Sequence, residues 1–316
     1  MAASIANSIN LQAETLTNFL LALSMLWLAL VIQRRRLRDA ALAGLWLGLA
    51  TLARPTTIYL FAFCLPLFVV LLRKESLKLY PAFAILPVLF ILGWSGRNQI
   101  HIGEFTYSTV GDFNLLFYRA VSVERWANAG KSDDVIRREF AAEVERRMGS
   151  PVDISQIDSG YFWRNFSPTD GRRVRVMRVM ALEVFRAHPL WYLATLPGGV
   201  FRMYAYTSLY GSPFLPELLY NLAFYTAAII GVVVCWKRRD WPALWITLTV
   251  IGYVTLATIV SQTTGMDTRM RTSTTTALAV LGAIAVVWIR DKWLSLWLRK
   301  GRRTSAVEGG GGVLRL

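Results

Sequence analysis

The amino-acid sequence predicts an all-α protein: a polytopic transmembrane helix bundle of about seven spans, with one large, external, mostly helical loop. Three observations predict it. The chain of 316 residues is 54% hydrophobic, with a mean hydropathy of +0.40 and twelve tryptophans, which is membrane-like composition. Its apolar residues fall into runs, most of them close to the roughly 20 residues that a bilayer core requires. Its basic residues, which give a formal net charge of +15, lie between those runs or in one long polar stretch. In a soluble protein that charge would point to nucleic acid; here anionic lipid headgroups are the partner it fits, and no nucleic acid is expected.

Residues 1–16 are polar, carry Glu14 and contain no basic residue, so they lack the positive n-region and cleavage site of a signal peptide. Seven apolar segments follow, at residues 17–33, 40–53, 57–72, 79–96, 214–236, 241–261 and 272–290. The second is short, and is expected either to extend through Arg54-Pro55 or to meet the third in a tight external turn. The chain therefore divides into residues 1–96 with about four spans, an extracytoplasmic loop domain at 97–213, about three spans at 214–290, and a disordered cytoplasmic tail at 291–316 that contains Gly309–Gly312.

Orientation follows from the short connections. Arg34-Arg35-Arg36-Leu37-Arg38 follows the first segment, Arg73-Lys74 and Lys78 the third, Lys237-Arg238-Arg239 the fifth, and Arg290, Lys292, Arg299, Lys300, Arg302 and Arg303 the seventh. The positive-inside rule places all four clusters in the cytoplasm, and they agree with one another. The expected location is the cell (plasma or inner) membrane, multi-pass, with the N-terminus and large loop outside and the C-terminus cytoplasmic. An external N-terminus fits either the loss of an odd number of upstream helices or simple translocation of a short, non-basic tail.

A loop as long as 97–213 needs structure of its own. Ser132 is a good N-cap, Asp133 and Asp134 suit the first turn, and Ile136, Phe140, Val144 and Met148 form a stripe ended by Gly149 and Pro151. Asp133, Asp134, Glu139, Glu143 and Glu145 read as its solvated side. A second helix is predicted from about Asp170 to His188, stopped by Pro189, with Val174, Met177, Ala181, Val184 and Phe185 inward. Arg172, Arg173, Arg175 and Arg178 crowd its start against the helix dipole, so they require anionic counterparts or solvent. The aromatic stretch from Leu190 through Tyr206, broken at Pro197-Gly198-Gly199, suits a helix lying in the headgroup layer rather than an eighth crossing.

Cys64 and Cys235 fall inside apolar segments and read as packed thiols. His101 and His188 lack metal-ligand spacing, no metal site is predicted, and no cofactor is called for, although a divalent metal stays open. Walker, dinucleotide and Ser–His–Asp signatures are absent.

The residues that bear chemistry are arginines at the outer boundary of the apolar segments. Arg54, before Pro55, and Arg97, after Gly93 and Gly96, are placed to contact a lipid phosphate, with Asn98 and Asn114 as further substrate or loop residues. The proline is expected to free backbone donors beside Arg54. Arg269 and Arg271, entering the seventh segment, could grip a phosphate together; an interfacial snorkel or an Arg–Asp rim pair is the plain reading of such residues. Asp112 and Glu14 are weak candidates for a catalytic base, with ordinary solvated or capping carboxylates as the alternative.

Four stretches carry a resemblance: Glu14-Thr15-Leu16 opening an apolar helix; Gly44 through Thr56 with its Ala-Thr-Leu-Ala-Arg-Pro-Thr ending; Trp94 through Asn114, with Arg97-Asn98, Gly103, Ser108-Thr109 and Gly111; and Ala187-His188-Pro189-Leu190-Trp191-Tyr192. They resemble polytopic GT-C type glycosyltransferases, specifically the family 39 group of protein-mannosyltransferases and aminoarabinose-transferase-like enzymes. The segment 269–277 is a weaker fifth match. The resemblance implies transfer of a sugar from a polyprenyl-phosphate-linked donor to an acceptor at the extracytoplasmic face, with arginines on the lipid phosphate and a carboxylate as base. The family's catalytic acid lies upstream of the Glu14-like element, and no such element is present, so an N-terminally truncated chain, or one needing a separately encoded N-terminal half, is expected. Alternatives are a non-catalytic membrane subunit that binds a lipid carrier or partner, a polysaccharide polymerase or ligase, and a transporter. No segment carries an acidic residue at mid-depth, which disfavours the last.

Overall fold

The computed structural model describes residues 13–158, 166, 170–205, 215–261 and 272–308. All regular structure among them is helical, so the chain is an all-α bundle. Helices α1 (Ala13–Arg34) and α2 (Leu37–Ala53) form a hairpin. A single turn at Pro55–Thr57 leads to the short α3 (Leu60–Phe63) and α4 (Leu65–Leu72), and then to the long α5 (Ser76–Ile102). After the loop domain come α12 (Leu215–Arg238), α13 (Trp241–Ser261) and α14 (Thr272–Glu308).

Each of the seven apolar segments is mainly helical among its described residues. Five stretches of the described residues are long and apolar enough to cross a membrane: Ala13–Arg34, Pro55–Ile102, Leu218–Arg238, Trp241–Ser261 and Thr272–Ser295. The second of these, 48 residues long, contains two of the segments, while residues 40–53 belong to α2, which has 17 residues. Their outward faces are apolar, as at Phe19, Val70, Leu89, Leu222 and Ile229, which suits lipid better than water.

Small residues let the helices touch. A Cβ on Gly44 would lie 2.0 Å from the Phe83 carbonyl oxygen, so α2 and α5 meet backbone to backbone; Gly231 and Leu281 do the same for α12 and α14. Lipid gives no hydrophobic drive between helices, so such contacts and interhelical hydrogen bonds hold the bundle. Ser24 Oγ, for example, donates to the Ala43 carbonyl at 3.0 Å.

The loop domain follows α5. It comprises α6 (Val110–Asn114), a π-helical turn at Leu115–Ala120, α7 (Val121–Ala127), α8 (Asp133–Met148), α9 (Gly171–Ala187), α10 (Pro189–Ala194) and α11 (Leu196–Ala205). The two predicted loop helices are present: the Ser132 side chain accepts from the Val135 N–H as the predicted cap, and the Asp170 side chain caps the second helix by accepting from the Arg172 N–H. Leu116, Phe117, Ala141, Val144, Ile157, Phe166, Val174 and Met177 form the core between them. Three of the four crowded arginines, Arg173, Arg175 and Arg178, find carboxylates, and one of these corrects the expectation of a wholly solvated acidic face. Glu145 is buried and meets Arg173 at 3.1 Å.

Two boundaries also differ. Helix α5 continues to Ile102, where Gly103 (φ +73°) caps it, so Arg97 and Asn98 lie within a helix rather than at the loop's start. Helix α14 continues to Glu308, so residues 291–308, expected as disordered tail, are helical; this stretch of Leu, Trp, Lys and Arg suits a helix, and its Gly301 is tolerated within it.

Candidate functional site

One end of the bundle carries the loop domain, and there the candidate residues of α1, the end of α2, and α5 gather. The site begins with a helix break. Proline lacks an N–H, so Pro55 cannot bond the carbonyl four residues earlier, that of Thr51. It also pushes Arg54 into extended backbone (φ −152°, ψ 125°), as the residue before a proline prefers. The group set loose is thus an acceptor, not the donors expected from sequence. Tyr107, arriving from the loop, fills the vacancy: its hydroxyl donates to Thr51 O at 2.7 Å. Burial pushes the Tyr107 phenol up to about 12, so it remains a donor at any physiological pH. Thr57 completes the cap, its hydroxyl donating to the Thr51 hydroxyl at 3.1 Å and to Arg54 O at 3.3 Å.

This break aims Arg54 at the start of α1. Its guanidinium lies 3.2 Å from Glu14, with the two side chains only 13% and 12% exposed. Two residues singled out separately in the sequence therefore form one ion pair at the bundle's rim. Around it the rim is lined by hydroxyls and amides. Thr276 at the start of α14 donates to Asn18 O at 3.3 Å. Thr272, Ser273 and Thr274 are buried, and Tyr204 of α11 bonds Thr255 of α13 at 2.6 Å.

Asn98 ties this rim to the loop. Buried, it donates from Nδ2 to the carbonyls of Thr106 (2.8 Å) and Tyr107 (3.2 Å), and its Oδ1 accepts from Arg97 Nη1 at 3.1 Å. Asn98 is thus a clamp on the turn that delivers Tyr107. Arg97 is exposed and lies 4.7 Å over the Trp94 ring, a cation–π arrangement. A Cβ on Gly93 or Gly96 would meet nothing within 4 Å, so these glycines leave open surface beside Arg97 rather than admitting another backbone.

Asp112 stands apart. Both its oxygens accept from Arg178, each at 2.9 Å, and Arg178 also reaches Glu104 at 3.3 Å, which in turn accepts from Arg175 at 2.6 Å. The Asp112 hydrogen bond, with the charges of Asp112 and Glu104, holds the Arg178 guanidinium above its ordinary range. A carboxylate gripped at both oxygens must break that grip before it can take a proton, so Asp112 joins α6 to α9 and is poorly placed as a base. Asn114 is half-buried at the end of α6, where the chain enters the π-helical turn. Arg269 and Arg271 lie outside the described residues. No group of three or more His, Cys, Asp or Glu that could hold a metal occurs among the described residues.

The residues that sequence reasoning missed are Tyr107, Thr51, Thr57, Glu104 and Arg119. Arg119 is fully buried in the π-helical turn, donates to the Tyr192 carbonyl and lies 4.2 Å over its ring; burial pulls its guanidinium below the ordinary range. The run Thr272-Ser273-Thr274-Thr275-Thr276 did carry a visible signal, five hydroxyls opening the otherwise apolar segment 272–289. No protein-family model, curated protein or solved structure matches the chain.

Proposed function

We propose that this chain is a multi-pass membrane protein whose loop end faces the outside of the cell membrane, and that the Glu14–Arg54 site there serves glycosyl transfer of the GT-C kind from a polyprenyl-phosphate-linked sugar. The observation that carries the reading is the convergence of Glu14 and Arg54, a base candidate and a phosphate candidate, in one shielded pair at the rim of an apolar bundle. In the proposed step the donor phosphate takes over Arg54, with Arg97 as an outer contact, and Glu14 is released. The acceptor hydroxyl attacks the anomeric carbon and gives its proton to Glu14. The bond between that carbon and the phosphate oxygen breaks, and polyprenyl phosphate leaves with the electron pair, its charge held by Arg54.

A second reading, a carrier-binding subunit without turnover, is favoured by one fact: Asp112 is already spoken for by Arg178. Both readings are tested with the full chain in proteoliposomes, by measuring polyprenyl-phosphate binding and sugar transfer separately. Arg54→Ala is expected to weaken binding about tenfold or more, the value of a lost charge-assisted hydrogen bond. Arg97→Ala is expected to weaken it less, because Arg97 is exposed. Glu14→Gln is expected to keep binding and abolish transfer. Binding without transfer in the wild type would select the subunit reading. Unchanged affinity in Arg54→Ala would sink both.

A further inference from the structure

A second basic site lies in the loop domain and shares no residue with the Glu14–Arg54 site. It is an open cavity of about 590 Å³ lined by Arg125, Trp126, Ala129, Gly130, Lys131, Ser132 and Arg202. That volume falls within the roughly 300–1,000 Å³ of small-ligand sites. Three cations and one exposed indole line it, and among the described residues no carboxylate does. Asp133 and Glu139, which are not among the lining residues, pair with two of the cations, Arg125 at 3.1 Å and Lys131 at 2.8 Å. Ser132 caps α8, so the positive end of that helix also faces the cavity.

Its depth is set by α11, which supplies Arg202. One residue further on, Met203 belongs to the bundle core, and Tyr204 bonds Thr255. Thr255 lies within the last two turns of α13 (Trp241–Ser261), so at 1.5 Å per residue it is about 9 Å from that helix's end. Arg202 therefore stands at the level of the bundle's rim. Beside it the surface turns apolar: Leu190, Leu193 and Phe201 are 79%, 59% and 71% exposed. Trp191 lies against Trp126, with ring centroids 6.0 Å apart. Cations above exposed apolar side chains and paired indoles match the profile of a membrane interface.

We propose that this cavity holds the phosphate headgroup of an anionic membrane phospholipid, with its acyl chains against Leu193 and Phe201. A soluble phosphate would use the cations and leave the apolar rim idle.

The test uses the full chain in nanodiscs of phosphatidylcholine with graded phosphatidylglycerol, counting retained phosphatidylglycerol by native mass spectrometry. The variant Arg125→Gln/Lys131→Gln/Arg202→Gln is expected to lose one tightly held anionic lipid, and each single substitution to weaken retention about fivefold. Arg138→Gln removes another exposed charge, from α8 outside the cavity, and is expected to retain the lipid as wild type does. Folding is checked by thermal melting, and the single variants, which each touch one exposed side chain, keep the test valid if the triple variant melts early. Three results overturn the proposal: unchanged retention in the cavity variants, an equal loss in Arg138→Gln, or displacement of the lipid by millimolar inorganic phosphate, which would make it a soluble-anion site.

Discussion

The regular structure of the bundle and of the loop domain is helical throughout the described residues, yet the two cohere by different means. In the bundle, backbones meet at Gly44 and Gly231, hydroxyls bond carbonyls on neighbouring helices, and the apolar surface faces outward. In the loop domain, apolar side chains face inward and arginines bridge the helices: Arg173 to Glu145, Arg178 to Asp112, Arg147 to Glu183. The bundle should therefore be sensitive to volume and indifferent to pH, and the loop domain the reverse.

The sharpest break of that comparison is one methyl group. Gly44→Ala places a Cβ 2.0 Å from Phe83 O, a backbone atom that cannot swing aside. The helices must separate, and the expected loss is about 3 kcal/mol, the upper range for overpacking. Gly96→Ala, on α5, the helix that also carries Phe83, meets nothing within 4 Å and should be neutral or gain up to about 1 kcal/mol. Equal melting temperatures for the two variants in detergent would refute the close-packing account.

Next comes Asp112→Asn. It keeps shape but breaks the doubly bonded pair with Arg178, leaving that arginine and Glu104 to rearrange. Because the Arg178 side chain is 35% exposed, solvent absorbs part of the loss, and about 2 kcal/mol is expected, below the 3–5 kcal/mol of fully buried pairs. The loss should appear in protease susceptibility of the loop domain. If the proposed glycosyl transfer holds, transfer should fall only in proportion to folded protein. Abolished transfer in a fully folded Asp112→Asn would instead make Asp112 the base.

These differences also mark what the sequence could disclose. Helix α8 was legible from Ser132 to Gly149 because its caps and its stripe are local. Glu145 was misread because the buried face is wider than the Ile136–Val144 stripe. Ala141, one turn before Glu145, shares its face and is fully buried. At the candidate site, Arg54 and Glu14 were each visible, but their meeting depends on how α1 packs against α2, which no local pattern encodes. Tyr107 was invisible: its role exists only because Pro55 strands the Thr51 carbonyl, and tertiary structure chooses which donor fills it.

A third prediction separates the regions by pH. Glu143 accepts from Arg146 and Arg147, and these bonds hold its carboxyl at about 2 against an ordinary 4.5. A depressed folded value means that the stabilisation is complete above pH 4.5 and is lost as pH falls toward 2. The site is at the surface, so the effect is held to about 1 kcal/mol. Glu143→Gln should flatten the acid limb of loop-domain unfolding and leave bundle melting as it was. An acid limb that survives the substitution would assign it to other carboxylates.

The smallest effect concerns helix ends. Helix α8 closes with Gly149 N–H to Arg146 O and Ser150 N–H to Glu145 O. Helix α12 closes with the same pair of bonds, Arg239 N–H to Trp236 O and Asp240 N–H to Cys235 O. The left-handed residue is glycine in the first (φ +89°) and arginine in the second (φ +57°), and Arg35 and Arg73 repeat the positive φ at the bundle's other basic turns. A side chain in that region costs roughly 1–2 kcal/mol, while glycine loosens the unfolded chain by roughly 0.5–1 kcal/mol. Arg239→Gly should thus raise bundle stability by only about 0.5 kcal/mol, read as a small upward shift in melting temperature. A gain of that size would mean the bundle accepts backbone strain to keep a positive charge at this turn, where the loop domain keeps the unstrained glycine. No gain would mean that the Arg239 side chain stabilises the turn by other contacts, and that charge placement and backbone ease are not in competition there.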